Sequence, residues 1–568
     1  MIPTSVQENA IAAIRISSLK QGLEGDSPEA QKEQIERFAL MRNIKVKKFF
    51  IFMESASKEE QPVQEAIDYC KNPKNNIQLF IIKSIDRFTR GGSYLYDHLK
   101  MQLENHKVQL VDIYGIIGGK DVNTLEHLAH LVLKEIEHRG IKTADVLVRR
   151  IREDSVTIRQ QQVETVRRRI TQGVGLRVIV DGKLGFVHSS DVSEGALLSL
   201  VDRAIALAKE TSSDPGHGIA EPSKAPSQVM LDIMDETISN LTIQEKIDQV
   251  MRLETAMLSA DSRVARSIGA DWHDSDDITV LMNTKGLSHR EYSTGFALVG
   301  QAVAEQNGQM QRGFWWSQAR HRRDLESPEE VGTETGKRAV ALLGARSVPT
   351  TKVPVVFEAP IASQVLGVLF AAIDGEKIRK RSSYLVDRLD QQIASPIVTI
   401  IDDGHLPRKL GTQAVDDEGT LACRKILVNQ GILKQYVYDV RGARLSNSTP
   451  TGNAHRSYGS LPSVGPTNLY LEPGSISKED LIKSVEKGLF LTRIMGSGVN
   501  LVTGDVSWGG SGMWIEQGEL AFPVEGITIA GNLLNLWCDI DMIANDLEWR
   551  SNVISPTFRV KEMMIGGK

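Results

Sequence analysis

The sequence predicts a multidomain protein with α/β and α+β parts, and three observations support this fold class. The chain has 568 residues, which is too long for a single hydrophobic core. Residues 1–128 alternate short apolar runs with amphipathic helical patterns, as a parallel α/β sheet covered by helices does. Residues 129–348 combine long alternating strands with helices, and residues 349–568 are dominated by strands with frequent Gly and Asn turns. We therefore expect three domains with these bounds, the last a strongly curved or barrel-like antiparallel sheet.

The composition is that of an ordinary soluble protein. Hydrophobic residues make up 41% and charged residues 24% of the chain, which argues against disorder and coiled coils. No apolar run reaches the roughly 18–20 residues that cross a bilayer, and no basic start with an apolar core follows the first Met. We expect a cytoplasmic protein without a membrane partner.

Cysteine content and charge exclude two further classes. Cys70, Cys423 and Cys538 lie far apart without a CxxC pair, so we expect buried free thiols rather than disulfides or a zinc ribbon. The net charge of −5 gives no general attraction to nucleic acid. Basic and acidic residues balance within residues 1–128, so any DNA binding by this part should be weak.

The first domain shows four strands separated by helices. The predicted strands are Ala10–Ile16, Val46–Phe52, Leu79–Ile82 and Val108–Tyr114, and the predicted helices are Ser27–Met41, Val63–Lys71 and Tyr94–Asn105.

Residues suited to phosphate chemistry follow two of these strands. Arg15, Ser17 and Gln21 stand where the first strand enters a loop, and Asp86-Arg87-Phe88-Thr89-Arg90 follows the strand LFIIK. Arg87 and Arg90 share one helical face at i, i+3 spacing. Guanidinium groups bind phosphate oxygens bidentately and stabilise the charge that develops when an alcohol attacks phosphorus. Taken alone, Arg-x-Ser is common in any sequence, and an Asp-Arg pair at a helix start is more often a surface cap.

Together and in this order, the two clusters resemble the catalytic domain of serine recombinases of the resolvase/invertase type. The resemblance covers about residues 8–128. It implies Ser17 as the nucleophile of a phosphoserine link to DNA, with Arg15, Arg87 and Arg90 around the phosphate. It also implies that Gln21 and Asp86 organise the site, which needs no metal.

This recombinase-like part departs from its family in three ways. Gln61 precedes Pro62 where the family usually has Arg, and Ala13 stands where Tyr is usual. The dimerisation helix and the DNA-binding domains do not follow Leu128. We therefore expect a truncated domain of doubtful recombinase activity.

The junction carries histidines but no separate linker. His127, His130 and His138 surround Glu135 at helical spacing, which would suit metal ligands but is more typical of a solvated helix face. A helix over Glu126–Arg139 is predicted to run across the join. Such an abrupt change is typical of a gene fusion or of a mis-joined gene.

The second and third domains have a different pattern of elements. Predicted strands are Ala144–Arg149, Ser155–Gln161, Val163–Thr171, Gly175–Val180, Lys183–His188, Asp277–Asn283 and Leu287–Gln301, with an Asp181-Gly182 hairpin turn. Predicted helices are Glu194–Thr211, Ile243–Ser259, Ser327–Leu343, Ala359–Ala372 and Lys478–Gly488, and Ser212–Pro226 is the clearest loop.

Residues 129–568 resemble the TldD/PmbA family of metallopeptidases, also called modulators of DNA gyrase. The residues that carry the resemblance are 401–404 (IDDG), 416–420 (DDEGT), 451–454 (TGNA), 495–500 (MGSGVN) and 522–526 (FPVEG). The catalytic branch of that family has a His-Glu-x-x-x-His helix that holds zinc. Here the matching positions near Leu366, Gly367 and Ala371 offer no imidazole or carboxylate, and no His pair accompanies Cys538, which we expect in a buried strand.

The chain therefore resembles the PmbA branch, also called TldE. The resemblance implies a subunit without zinc or another cofactor, which pairs with a zinc-bearing TldD-type subunit or with itself and acts on unfolded or modified peptides. Two alternatives stay open: a DNA-processing protein in which Ser17 links to DNA and the rest assembles it, and a structural scaffold without activity.

Other polar motifs of this half are expected to be structural. Asp402-Asp403 and Asp416-Asp417-Glu418 could bind metal, but acids followed by Gly are more typical of turns. The run GDVSWGGSGMWIEQGEL lacks the Gly-Lys-Ser/Thr of a phosphate loop, so Trp508 and Trp514 should pack or line a peptide groove. His455 is a weaker candidate for a general base.

Overall fold

A computed structural model of the chain describes residues 8–17, 28–41, 44–54, 63–82, 102–103, 105–112, 122–222, 231–496 and 498–567. The chain forms two compact units, residues 1–128 with 191–196, and residues 129–190 with 197–568. Within the described ranges, no helix is long and apolar enough to cross a membrane.

The smaller unit contains a four-stranded parallel sheet in the order β2-β1-β3-β4. Its strands are β1 (Glu8–Ser17), β2 (Ile44–Glu54), β3 (Leu79–Ile82) and β4 (Gln109–Asp112), and its helices are α1 (Pro28–Met41) and α2 (Gln64–Lys71). Alternate residues of β1 face opposite sides of the sheet. Ile11 and Ala13 pack in one core with Ile67 of α2, and Ala12 and Ile14 pack in another with Ile35 of α1.

The predicted parallel α/β fold of this unit is confirmed, because helices cover both faces of the sheet. The predicted helix Tyr94–Asn105 lies mostly outside the described residues. Helix α3 (Val122–His138) contains the boundary between the two units. His127, His130 and His138 are exposed on it, as a solvated helix face requires.

The larger unit begins with a six-stranded antiparallel sheet in the order β10-β9-β8-β5-β6-β7. Its strands are β5 (Ala144–Arg159), β6 (Gln162–Val180), β7 (Lys183–Ser189), β8 (Val264–Asn283), β9 (Ser288–Gln306) and β10 (Gln309–Ala319). Helices α4 (Glu194–Glu210), α5 (Ile243–Ser259) and α6 (Pro328–Ala341) accompany it. Leu253 of α5 and Val331 of α6 share a buried core with Trp272 and Phe296 of the sheet.

Four of the strands predicted in this sheet merge into two longer strands. Residues 144–159 and 162–180 form continuous strands joined by a hairpin at Gln160-Gln161, where both residues have positive φ (53° and 58°). The predicted Asp181-Gly182 turn is confirmed, with φ values of 50° and 75°. Strand β10 was not predicted.

The remainder of the larger unit is rich in short strands. They are β11 (Thr351–Phe357), β12 (Ile400–Asp403), β13 (Arg424–Asn429), β14 (Ile432–Leu433), β15 (Ala454–His455), β16 (Ser463–Val464), β17 (Leu469–Leu471), β18 (Lys487–Met495), β19 (Asp505–Glu516), β20 (Glu519–Asn532), β21 (Ile540–Ile543), β22 (Val553–Ile554) and β23 (Phe558–Gly566). The helices are α7 (Ala359–Ala372), α8 (Gly375–Arg379), α9 (Val440–Leu445), α10 (Lys478–Lys483) and α11 (Leu533–Cys538).

Five of these strands close into a barrel, which confirms the predicted barrel-like sheet. Their order is β11-β18-β19-β20-β23, and β23 pairs back with β11, while β21 adds to β23. All of these pairs are antiparallel except β11 with β18. Closure removes the exposed edges of an open sheet.

Helix α7 lies in the core between the barrel and a second sheet in the order β14-β13-β12-β17-β22. Val365 and Leu369 of the helix join a buried cluster with Leu491 of the barrel and Ile400 of the second sheet. This buried position explains why α7 is apolar on nearly every side.

Two details of the prediction are wrong, and a third is confirmed. Cys423 and Cys538 are exposed rather than buried, and Cys538 ends helix α11 instead of lying in a strand. Helix α10 ends at Lys483 rather than at Gly488, which belongs to β18. Of the two alternatives given for Trp508 and Trp514, packing is confirmed, because each is 3% exposed and lies in the main core.

Candidate functional site

A polar cleft of about 460 Å³ lies in the larger unit where one face of the six-stranded sheet meets two loops. Alternate residues of β8 (Asp277, Thr279, Leu281) and β9 (His289, Glu291, Ser293) form its floor, because a strand turns every second side chain to one face. Arg149 of β5 pairs with Thr279 in register, and Thr279 pairs with Glu291, so the floor continues across three strands. Arg320, residues 410–417 and residues 455–457 supply most of the remaining walls.

The acidic turn Asp416-Asp417-Glu418 forms one wall, and its predicted turn geometry is confirmed. Gly419 donates its backbone N–H to the Asp416 carbonyl (2.9 Å) and has a φ of 92°. The Asp416 carboxylate accepts backbone N–H groups from Glu418 (3.0 Å), Thr420 (2.9 Å) and Ala454 (3.0 Å). Burial, together with the nearby charge of Glu418, raises the pKa of Asp416 to about 7 despite these bonds.

A buried ion network holds this turn against the sheet. Arg177 of β6 donates to the carboxylate of Asp145, directly opposite it on β5, and to Glu418 Oε1 (2.7 Å). Arg456 donates through Nη1 to Asp145 Oδ1 (3.0 Å) and through Nε to the Asp417 carbonyl (2.8 Å). The loop that carries Arg456 approaches β6 closely, since a Cβ at Gly175 would lie 2.2 Å from the Tyr458 carbonyl oxygen.

Within the part of the chain that the structure describes, four buried polar atoms of the cleft-lining side chains have no hydrogen-bond partner. They are Arg320 Nε, Arg456 Nη2, His455 Nε2 and Glu291 Oε2. Buried polar groups are normally bonded, so a cluster of orphaned ones needs an explanation such as a ligand. Arg149, by contrast, is engaged bidentately by Asp277.

Three further clefts of about 510, 490 and 420 Å³ share lining residues with the polar cleft or with one another. The first shares Leu410 with the polar cleft, and the second shares Glu326 and Arg550 with the first. The third shares Trp315 and Arg338 with the second. We call the four clefts together the groove.

Helix α7 and strand β10 border the groove. Pro360, Ile361 and Gln364 of α7 line its last cleft, and Trp315 and Trp316 of β10 line it from the other side. Strand β10 is an edge strand of the six-stranded sheet.

Helix α7 does not fit the zinc that the resemblance assigns to the catalytic branch. Leu366 is fully buried, Gly367 has no side chain, and Ala371 offers only a methyl group. Zinc requires nitrogen, sulfur or oxygen ligands, which these residues lack. Elsewhere in the part of the chain that the structure describes, no group of three or more His, Cys, Asp or Glu side chains could hold a metal ion.

Only two of the six residues predicted for phosphate chemistry belong to the described residues. Arg15 and Ser17 lie at the carboxyl end of β1, which has a neighbour on both sides in its sheet. Gln21, Asp86, Arg87 and Arg90 lie outside the described residues.

The second acidic pair, Asp402-Asp403, forms the end of strand β12 rather than a turn. Asp402 accepts from Asn453 Nδ2 (2.8 Å), the Thr467 backbone N–H (2.8 Å) and Lys425 Nζ (3.2 Å). These contacts make it structural.

Sequence reasoning found the 416–418 turn and His455-Arg456 but missed Arg149, Glu291 and Arg320. Glu291 and Arg149 stand at alternating strand positions that resemble any solvated strand face. Only the tertiary approach of the 410–417 loop converts this face into a cleft.

Comparison with protein-family models finds matches to two unrelated families along the chain. A resolvase N-terminal domain matches residues 10–145. PmbA/TldA metallopeptidase domain 1 matches residues 144–208, the central domain 236–343 and the C-terminal domain 350–567.

Curated relatives agree with the second set of matches. Metalloprotease PmbA of Escherichia coli O157:H7 is 32% identical over 429 residues, covering 75% of this chain and 92% of that protein. A TldD homologue of Haemophilus influenzae is 26% identical over 428 residues, covering 73% and 87%.

A solved structure shares the fold of the larger unit. A Thermotoga maritima protein described as a modulator of a DNA gyrase aligns with a TM-score of 0.71 and 26% identity, over 78% of this chain and all of that one. The chain belongs to the PmbA/TldD metalloprotease family and carries a resolvase N-terminal domain ahead of it.

Proposed function

We propose that residues 129–568 are the zinc-free, PmbA/TldE-type subunit of a two-subunit peptidase, and that a TldD-type partner supplies the metal. The observation that carries this proposal is the apolar character of helix α7. Leu366, Gly367 and Ala371 stand at the positions where the resemblance to the catalytic branch places the His-Glu-x-x-x-His residues. The higher identity to a PmbA-named relative than to a TldD-named one supports the same branch.

The substrate we propose is an extended peptide from an unfolded or modified protein. The groove supports this choice, because residues of the edge strand β10 line three of its four clefts. An edge strand can bind an extended peptide through main-chain hydrogen bonds, without regard to its sequence. The aromatic residues Phe314, which is 48% exposed, and Trp316, which is partly buried, supply apolar contact area for its side chains.

For residues 1–128 we propose a truncated serine-recombinase domain with Ser17 as nucleophile and Arg15, Arg87 and Arg90 as phosphate-binding groups. Gln21 and Asp86 would organise this site. Ser17 stands at the carboxyl end of an inner strand of a parallel sheet, where α/β proteins place ligands. Gln61 in place of Arg removes one guanidinium from the phosphate site, so we propose weak or absent strand exchange and weak DNA binding.

The test is reconstitution with a TldD-type subunit. The chain is purified alone and after co-expression with that subunit, and zinc content, co-purification and cleavage of an unfolded peptide are measured. We expect substoichiometric zinc and no cleavage from the chain alone, and a stable complex that cleaves. Stoichiometric zinc with proteolysis by the isolated chain would refute the proposal, as would failure to associate with any TldD-type subunit.

A further inference from the structure

The polar cleft contains hydrogen-bonding groups that the fold itself does not use. Arg320 is held by two backbone carbonyls, through Nη1 to Thr294 (3.3 Å) and Nη2 to Leu410 (2.6 Å), while its buried Nε has no partner. A carbonyl oxygen carries no net charge, so neither bond neutralises the guanidinium. Among the described residues Arg320 forms no ion pair within 4.0 Å, and the charges of Glu291 and Asp277 act on it only from a greater distance.

Arg456 presents a second unused donor. Its side chain is 1% exposed, and its Nη1 and Nε are bonded to Asp145 and to the Asp417 carbonyl. Its Nη2 lies buried without a partner, and so does His455 Nε2 next to it in sequence. Arg320 and Arg456 belong to different elements, so two guanidinium groups reach one cleft with N–H groups unoccupied.

An unused acceptor lies in the same cleft. Glu291 Oε2 is buried and has no hydrogen-bond partner, and the nearest imidazole nitrogen, His289 Nε2, stands 3.8 Å away. A simple anion would satisfy the two arginines but would face this carboxylate oxygen unfavourably. A ligand with an anionic group and an adjacent N–H would satisfy all of them.

The last residue of a peptide has this pair of groups, because its α-carboxylate adjoins its own amide N–H. A carboxylate is planar and matches guanidinium donors, and the amide N–H can be donated to Glu291. We propose that the polar cleft binds the carboxyl terminus of a peptide, with Arg320 and Arg456 on the α-carboxylate and Glu291 on the terminal amide. This assignment rests on the peptide groove proposed above and identifies the end of the peptide that enters the polar cleft.

The test is peptide binding by the full chain, measured by fluorescence anisotropy. The probe is an N-terminally fluorescein-capped hexapeptide, prepared with a free carboxyl terminus and as the carboxamide. We expect the free acid to bind about tenfold or more tightly than the amide. Arg320→Gln should remove this preference, and Arg320→Lys should restore only part of it, since Lys keeps the charge but not the planar fork.

A matched control is Arg290→Gln, which alters an exposed arginine at the next position of β9, on the opposite face of the sheet from Glu291. It should bind both peptides as the unaltered chain does. Glu291→Gln tests the acceptor and should weaken the acid and the amide equally, because both retain the amide N–H. Thermal unfolding of each variant shows that it is folded, and Arg456 is left unaltered because it also holds the ion network.

Two results would overturn the carboxylate site. One is equal binding of acid and amide by the unaltered chain. The other is displacement of both peptides by inorganic phosphate at equal concentration, which would indicate a general anion site. A chain that restores cleavage with its zinc partner yet fails to discriminate acid from amide refutes this inference alone. A chain that discriminates them but never joins a TldD-type subunit refutes only the proposed subunit role.

Discussion

Replacing Arg177 by Met should destabilise the larger unit more than any surface substitution. The Arg177 side chain is 7% exposed, and its partners Asp145 and Glu418 are 1% and 2% exposed. Met keeps much of the side-chain length but removes the charge. Asp145 would then keep only Arg456 as a cationic partner, and Glu418 would keep the backbone N–H of Val440.

The magnitude follows from the burial of this network. Removing one partner of a buried ion pair costs about 3–5 kcal/mol, because the other charge is left without compensation. At an unfolding entropy of about 2.1 cal/mol/K per residue, the Tm of a unit that spans residues 129–190 and 197–568 shifts by about 1 °C per kcal/mol, so the loss corresponds to a fall in Tm of roughly 3–5 °C. Differential scanning calorimetry measures it, because the transitions of the two units can be followed separately.

The deficit should also depend on pH. Burial alone would raise the pKa of Asp145, but Arg177 and Arg456 hold it below its ordinary value. Its ion pairing therefore stabilises the fold above the unfolded pKa, and this contribution is lost as the pH falls through the lower folded value. Without Arg177, the folded pKa of Asp145 rises, so the Tm difference from the unaltered chain should shrink as the pH falls from about 7.5 to about 5.5.

The control for Arg177→Met is Arg169→Gln on the same strand. Arg169 is 73% exposed and lies 4.0 Å from Glu153, so its loss should cost less than about 1 kcal/mol. Adding Glu418→Gln to Arg177→Met should restore part of the Tm, because it removes one unpaired charge. The reasoning is refuted if Arg177→Met unfolds within about 2 °C of Arg169→Gln at pH 7.5.

Three further predictions concern other parts of the chain. Burial and the charge of Glu418 raise the pKa of Asp416 to about 7, so the folded state retains a proton that the unfolded state releases, and Tm should fall as the pH rises from 6 to 8.5. Asp416→Asn should flatten this pH dependence of Tm in calorimetry, and an unchanged slope would contradict the assignment. Leu366→Ala should lower the free energy of unfolding by about 2–5 kcal/mol in the same assay. Leu461→Ala, at a position 46% exposed, should lower it by about 0.5 kcal/mol or less. Equal losses would mean that α7 is not a core helix. Any covalent adduct formed with supercoiled site DNA, seen as a gel shift that survives denaturation, should vanish in Ser17→Ala and persist in Ser18→Ala; the reverse result would exclude Ser17 as nucleophile.

Local sequence rules located several elements to the residue. Helix α5 begins where Thr242 and Glu245 form a capping box, in which each side chain bonds the backbone of the other residue. The Asp181-Gly182 turn was visible because these residues tolerate the left-handed conformation. Both signals are contained within a few neighbouring residues.

The hairpin at Gln160-Gln161 was invisible for the opposite reason. Neither glutamine favours positive φ, and the turn is held by Glu254, whose carboxylate accepts both backbone N–H groups (2.9 and 2.6 Å) from a helix far along the chain. The polar cleft depends on long-range contacts in the same way. Its acidic turn and His455-Arg456 were singled out from sequence, but the unpartnered donor of Arg320 exists only once the sheet meets the 410–417 loop.

The closed barrel can be completed only after its last strand has been synthesised. Its ring is completed by the pairing of β11 with β23, in which Thr351 faces Ile565. One of the first residues of this region therefore cannot pair until one of the last has been synthesised. Until β23 leaves the ribosome, β11 and β20 both remain edges of an open sheet, able to pair with strands of another chain. Folding of this region is therefore expected to be slow and post-translational, and vulnerable to aggregation while the nascent chain is unfinished.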